Sequence, residues 1–135
     1  MAGRYQGGRM IQKVHHVGIA VHKIEPVAAF LKEVFGAELM PGPGLETPEF
    51  LSKMVKMGEN YFELLEPRGQ NGLIERYLKS RGEGIHHVSL VVDDVPALLK
   101  TCEARGMTVL GRRFIHPKSA FGILIEFFGV NERIG

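Results

Sequence analysis

At 135 residues and 15.0 kDa the chain has room for a single domain with a proper core, and 44% hydrophobic against 24% charged content excludes wholesale disorder. A net charge of +2, from 17 basic and 15 acidic side chains with no long like-charge run, excludes nucleic acid as an implied partner. No stretch approaches the roughly 20 apolar residues of a membrane span, the opening MAGRYQGGRM lacks a secretory apolar run, and the single Cys102 excludes an internal disulfide and a Cys-rich zinc site. The chain thus reads as cytoplasmic, with oxygen and nitrogen as its available metal ligands.

In chain order, His15-His16-Val17-Gly18-Ile19-Ala20-Val21 alternates as a strand, and Val27, Phe30, Leu31, Val34 and Phe35 then fall at helical spacing between Pro26 and Gly36. Leu51 to Met57 favours a strand, although Thr47-Pro48-Glu49 is also an acceptable helix start. The turn Gly58-Glu59-Asn60 joins it to a second strand, Tyr61 to Glu66. Leu73, Ile74, Tyr77 and Leu78, closed by Gly82, predict a connector helix over 71–82. His86-His87-Val88-Ser89-Leu90-Val91-Val92 then repeats the first strand 71 positions on, with both histidines and two valines identical. A second helix follows, with Asp94 as cap, Pro96 in the first turn, Val95, Leu98, Leu99 and Cys102 as apolar stripe and Gly106 as stop. Ile123 to Phe128 reads as the last strand, again with one internal glutamate.

The duplication carries the functional argument. Alternation puts His16, Gly18 and Ala20 on one strand face and the bulky Val17, Ile19 and Val21 on the other, the natural core face. Small side chains beside an imidazole leave the space a ligand cavity needs, and His87 and Ser89 repeat the pattern. A glutamate inside an apolar strand must be solvated, paired or metal-bound. Singly, such residues are usually packing histidines and solvated carboxylates. No packing requirement explains their duplication, so His16, Glu63, His87 and Glu126 are the predicted ligands of one divalent ion, with Zn, Co, Mn, Ni and Fe all suited. By the same alternation His15 and His86 point to the opposite face, while His22 and His116 fall at strand or loop ends. Met54, Met57, Phe127 and Phe128 are read as core or cavity wall.

The His15–Val21 strand, Glu63-Leu-Leu-Glu-Pro67, Arg81-Gly-Glu-Gly-Ile-His86-His87, and Ile115-His-Pro-Lys-Ser119 with Gly122-Ile-Leu-Ile-Glu126 together resemble the methylmalonyl-CoA epimerases. That family lies in the vicinal oxygen chelate superfamily, with glyoxalase I and the bleomycin-resistance proteins. The resemblance runs from Val14 to Phe128. It implies an α+β fold of two tandem βαβββ modules forming a half-barrel cup, here at 14–67 and 85–129, around a divalent metal. It also implies the ligand set already named, a CoA thioester as small-molecule substrate, and a homodimer, with the site built either within one chain or across the dimer.

The implied reaction moves the α-proton of methylmalonyl-CoA between faces through an enediolate. Glu126 serves as base on one face, and Glu46 or Glu49, in the loop before the hairpin, serves on the other. Lys118 and Arg112 are candidates for the CoA phosphates. Two departures are visible. His16 to Glu63 spans 47 positions but His87 to Glu126 only 39, so the second module is shortened, with Gly111-Arg112-Arg113-Phe114 running straight in as if a hairpin had been trimmed. Phe121 also stands where the family commonly has glycine, and is expected to narrow the acyl pocket. The trimmed module leaves a glyoxalase I-like lactoylglutathione lyase as the alternative activity, and a metal-free, non-catalytic binding module is the third reading.

Overall fold

The computed structural model describes residues 10–132, and they divide into two compact units. One spans His16–His86; the other starts at His87 and includes the segment that ends at His15.

In the first unit, β1 (Ile11–Ala20), from His16 onward, pairs parallel with β5 (Asn60–Pro67), which pairs antiparallel with β4 (Phe50–Met57). Two-residue strands, β2 (Glu38–Leu39) and β3 (Leu45–Glu46), both border β4. Helix α1 (Ile24–Phe35) packs on the Val17 face of this sheet, joining Ile24 and Leu31 to Val55 and Leu64 in one core. Gly36 ends the helix with φ 74°, a left-handed conformation that costs glycine little. The apolar stripe on α1 is only partly buried: Phe30, Val34 and Phe35 are more than half exposed, because just one side of a helix fits against a sheet.

The opposite face was expected to be open beside His16. It is covered at its Ala20 end, where α2 (Leu73–Arg81) lays Ile74 and Leu78 on Ala20 and Leu65. Thr47 starts no helix; its hydroxyl accepts from the backbone N–H groups of Glu49 and Phe50, making a turn that leads into β4.

In the second unit, β6 (Gly84–Val92), from His87 onward, runs parallel to β9 (Ile125–Gly129), beside which come β8 (Phe114–Ile115) and β7 (Val109–Leu110). Helix α3 (Val95–Ala104) is capped by Asp94, whose carboxylate accepts from the Ala97 N–H at 3.0 Å. Leu98, Leu99, Cys102, Ile115 and Phe127 form the core of this unit. Gly111-Arg112-Arg113 does not run straight in as the sequence suggested. It is the turn of the β7–β8 hairpin, made possible by Gly111 at φ 59°. The hairpin is therefore shortened to two-residue strands and still present. Among the described residues no helix is long and apolar enough to cross a membrane.

Candidate functional site

Each unit holds one histidine–glutamate pair, and both are set by the same strand register. In the first, Gly18 stands opposite Glu63, so His16, two residues earlier on β1, lies diagonal to it on the same face. His16 is buried, its Nε2 is 3.4 Å from Glu63 Oε1, and the glutamate side chain is 15% exposed. In the second, Ser89 stands opposite Glu126, so His87 takes the corresponding diagonal place. His87 Nε2 is 3.5 Å from Glu126 Oε1, and this carboxylate is 13% exposed.

These distances exceed an ordinary N–H···O hydrogen bond, which spans about 2.7–3.2 Å. They match the gap of about 3.4 Å between two ligands held 2.0–2.2 Å from one ion at a tetrahedral angle. The donor set, imidazole nitrogen plus carboxylate oxygen in each unit, thus fits a divalent metal. Both carboxylates keep some access to solvent, as an exchangeable site requires.

The remaining predicted residues fall elsewhere. Glu49 is committed to structure: its Oε2 accepts from the Leu73 N–H at 2.7 Å, supplying the cap that Gly72, at the N-cap of α2, has no side chain to provide. The register of β3 puts Glu46 opposite Leu51, on the sheet face away from Glu63, where it pairs with Arg68 at 3.3 Å on the surface. Neither is therefore joined to a His–Glu pair by the pairing that aligns the four presumed ligands. Gly44, at φ 79°, fixes the loop before β3; a Cβ there would lie 2.2 Å from the Ser52 carbonyl oxygen.

Of the other histidines, His86 makes an edge-to-face contact with Tyr77, and His116 Nδ1 accepts from the Lys118 N–H, capping the short turn Pro117–Ser119. Phe127 is core, and Phe128 lies beneath the Arg113 guanidinium. Phe121 lines no wall of its unit: it is fully exposed, at φ 55°. Lys118 and Arg112 are exposed. Cys102 is buried in α3, and burial pushes its thiol pKa up, which makes it a packing residue. In the first unit a cavity of about 520 Å³ lies on the α1 side, lined by Ile24, Ala28, Lys32, Leu51 and Glu66 and by none of the predicted site residues.

Sequence reading passed over Ser89 as a functional residue. Its hydroxyl donates to Glu126 Oε1, and it is completely buried. The available signal was a polar residue two positions after the histidine, where the first repeat has Gly18.

The chain belongs to the glyoxalase/bleomycin resistance protein/dioxygenase superfamily, whose profile matches residues 15–124. The fold is accordingly the α+β vicinal oxygen chelate fold. Within the superfamily it is a relative of the methylmalonyl-CoA epimerases, and so an enzyme of an isomerase lineage. It is 31% identical over 128 residues to the mitochondrial methylmalonyl-CoA epimerase of Dictyostelium discoideum, covering 86% of this chain and 77% of that one. Identity is also 31% over 132 residues with the ethylmalonyl-CoA/methylmalonyl-CoA epimerase of Cereibacter sphaeroides, covering 87% and 97%. A solved structure of a Streptomyces coelicolor methylmalonyl-CoA epimerase variant, in complex with 2-nitronate-propionyl-CoA, superposes with a TM-score of 0.79 at 26% identity, covering 90% of this chain and 99% of that one.

Proposed function

We propose that this enzyme epimerises methylmalonyl-CoA, or a malonyl-CoA thioester with a similarly small branch, and that it depends on a divalent metal held by His16, Glu63, His87 and Glu126. The observation that carries the reading is the paired His–Glu geometry, 3.4 Å in one unit and 3.5 Å in the other. Support for the substrate comes from the names and bound ligand of the relatives.

Bound there, the metal supplies Lewis acidity to the thioester and carboxylate oxygens of the substrate. The residues of the chain do the rest. On one face the Glu126 carboxylate takes the α-proton, and the electron pair of the broken C–H bond delocalises into the thioester. On the other face a protonated carboxyl group returns a proton to the same carbon, inverting it. Glu46 is the better candidate for that second group, since Glu49 already holds the N-terminus of α2. To act there Glu46 must leave Arg68, a pair exposed enough for release to cost little, and the two-residue strand β3 must turn it from the face away from Glu63 toward the substrate. Lys118 and Arg112, both exposed, are the side chains we assign to attract the CoA phosphates from solvent. We take the working form to be a homodimer.

The test is solvent exchange. Protein stripped with chelator and reloaded with Co or Zn should incorporate deuterium at the α-carbon of methylmalonyl-CoA in D2O. Variants His16→Ala and His87→Ala should lose both metal and exchange, while His15→Ala and His86→Ala keep the metal. Absence of exchange in a metal-loaded parent that isomerises a hemithioacetal would transfer the assignment to the lyase activity. A parent that binds no metal at all would leave a binding module.

A further inference from the structure

We propose that Ser89 is a positioning residue that holds the Glu126 carboxylate in its metal-binding orientation, a support that Gly18 cannot offer Glu63 from the matching position. The inference rests on the metal reading above and deepens it. Ser89 stands directly across from Glu126 in the parallel β6–β9 ladder, is 0% exposed, and donates its hydroxyl proton to Oε1. Oε1 is also the oxygen facing His87 Nε2 at 3.5 Å. The oxygen suited to coordination is therefore the one fixed by the hydroxyl.

A glutamate reaches its site through three rotatable bonds, and a carboxylate approached by one group alone can turn either oxygen toward an ion. A hydroxyl has a single proton to donate, and placing it on Oε1 selects that oxygen and one carboxylate plane. This is the outer-shell support that fixes the orientation of a ligating carboxylate. Packing alone gives no reason for the hydroxyl, since an alanine would fill a buried strand position between Val88 and Leu90 without a polar group to satisfy. The repeat supplies an internal comparison. Gly18 occupies the equivalent place opposite Glu63 and has no side chain with which to donate. The second unit therefore carries an orienting group that the first lacks at this position.

The test uses metal alone. Full-length parent, Ser89→Ala, Ser89→Thr and Ser89→Cys proteins are stripped with chelator, checked for folding by thermal melting, and titrated with Co or Zn against a chromophoric chelator. Ser89→Ala should weaken metal binding by about 10–100-fold, Ser89→Thr, which keeps the hydroxyl, should stay within about threefold of the parent, and Ser89→Cys, a weaker donor, should fall between. Should the alanine variant fail to fold, the threonine and cysteine variants provide the same comparison. Equal affinity in parent and alanine variant (or, without a folded alanine variant, in parent and cysteine variant) overturns the role of Ser89 while leaving the metal site standing. Equal loss in the alanine and threonine variants also overturns it, because the hydroxyl would then not be the cause. A parent that binds no metal overturns the metal reading and this inference together.

Discussion

Replacing Glu49 by alanine separates a structural carboxylate from a catalytic one. The interaction removed is a charge-assisted hydrogen bond of 2.7 Å from the Leu73 N–H, at the N-terminus of a helix whose own cap residue, Gly72, contributes no side chain. Loss of an N-cap acceptor costs about 0.5–2 kcal/mol, and loss of a negative charge at a helix N-terminus about 0.3–1 kcal/mol at an exposed site. Because Glu49 is exposed, the lower half of the combined range applies, roughly 1 kcal/mol. Unfolding entropy near about 2.1 cal/mol/K per residue gives a chain of this length about 0.28 kcal/mol/K, so the thermal midpoint should fall by about 3–4 °C. The measurement is a thermal melt of metal-free protein, paired with deuterium exchange on the metal-loaded form below the transition. Glu49→Gln, which keeps an acceptor, should lose about half as much stability. An unchanged midpoint combined with turnover reduced a hundredfold or more would refute this assignment and return Glu49 to the chemistry.

Glu46→Gln should reduce exchange on one face by about 10²–10⁴-fold, the usual contribution of a general acid or base, with metal content unchanged; near-full activity would mean that Glu46 serves only its ion pair with Arg68. Phe121→Gly should raise stability by about 1 kcal/mol, because a side chain at φ 55° is strained and a fully exposed ring loses no packing, and a lower thermal midpoint would contradict this. Glu132 is held below the ordinary carboxylate pKa by the Gly129 N–H and then by Arg113. A lowered folded-state pKa gives stability that is present above the ordinary carboxylate value and lost as pH falls through the folded-state value. Glu132→Gln should therefore flatten the acid limb of a stability–pH curve, and an acid limb as steep as that of the parent would count against the contact.

The regular elements were legible because local signals place them. Gly36 marks the end of α1 and Asp94 caps α3 at the points where the sequence puts them. The duplicated histidines and glutamates were equally visible, since a period of two fixes which residues share a strand face. What escaped depends on residues far apart in the chain. Glu49 reaches a helix 24 positions away, a partnership that no local pattern encodes. The two-residue strands β2, β3, β7 and β8 are too short for alternation to register, which is why a surviving hairpin looked trimmed. Exposure of Phe30, Val34 and Phe35 was hidden too, because periodicity reports an apolar stripe without saying how much of it a neighbour covers.

The matched diagonal register has a consequence for how such an enzyme can change. In both units the glutamate sits across from the residue two after the histidine, so each pair is defined by a few rungs of one parallel ladder. The eight-position difference between the histidine–glutamate spans falls outside those rungs, in the segments that connect the paired strands. Connecting loops can therefore lengthen, shorten or acquire a residue such as Phe121 without moving either histidine relative to its glutamate. A single-residue insertion within β6 or β9 would instead turn one partner to the far side of the sheet. Mutation thus meets two separate compartments in this chain, one in which length and sequence can vary freely and one in which a shift of register parts a histidine from its glutamate.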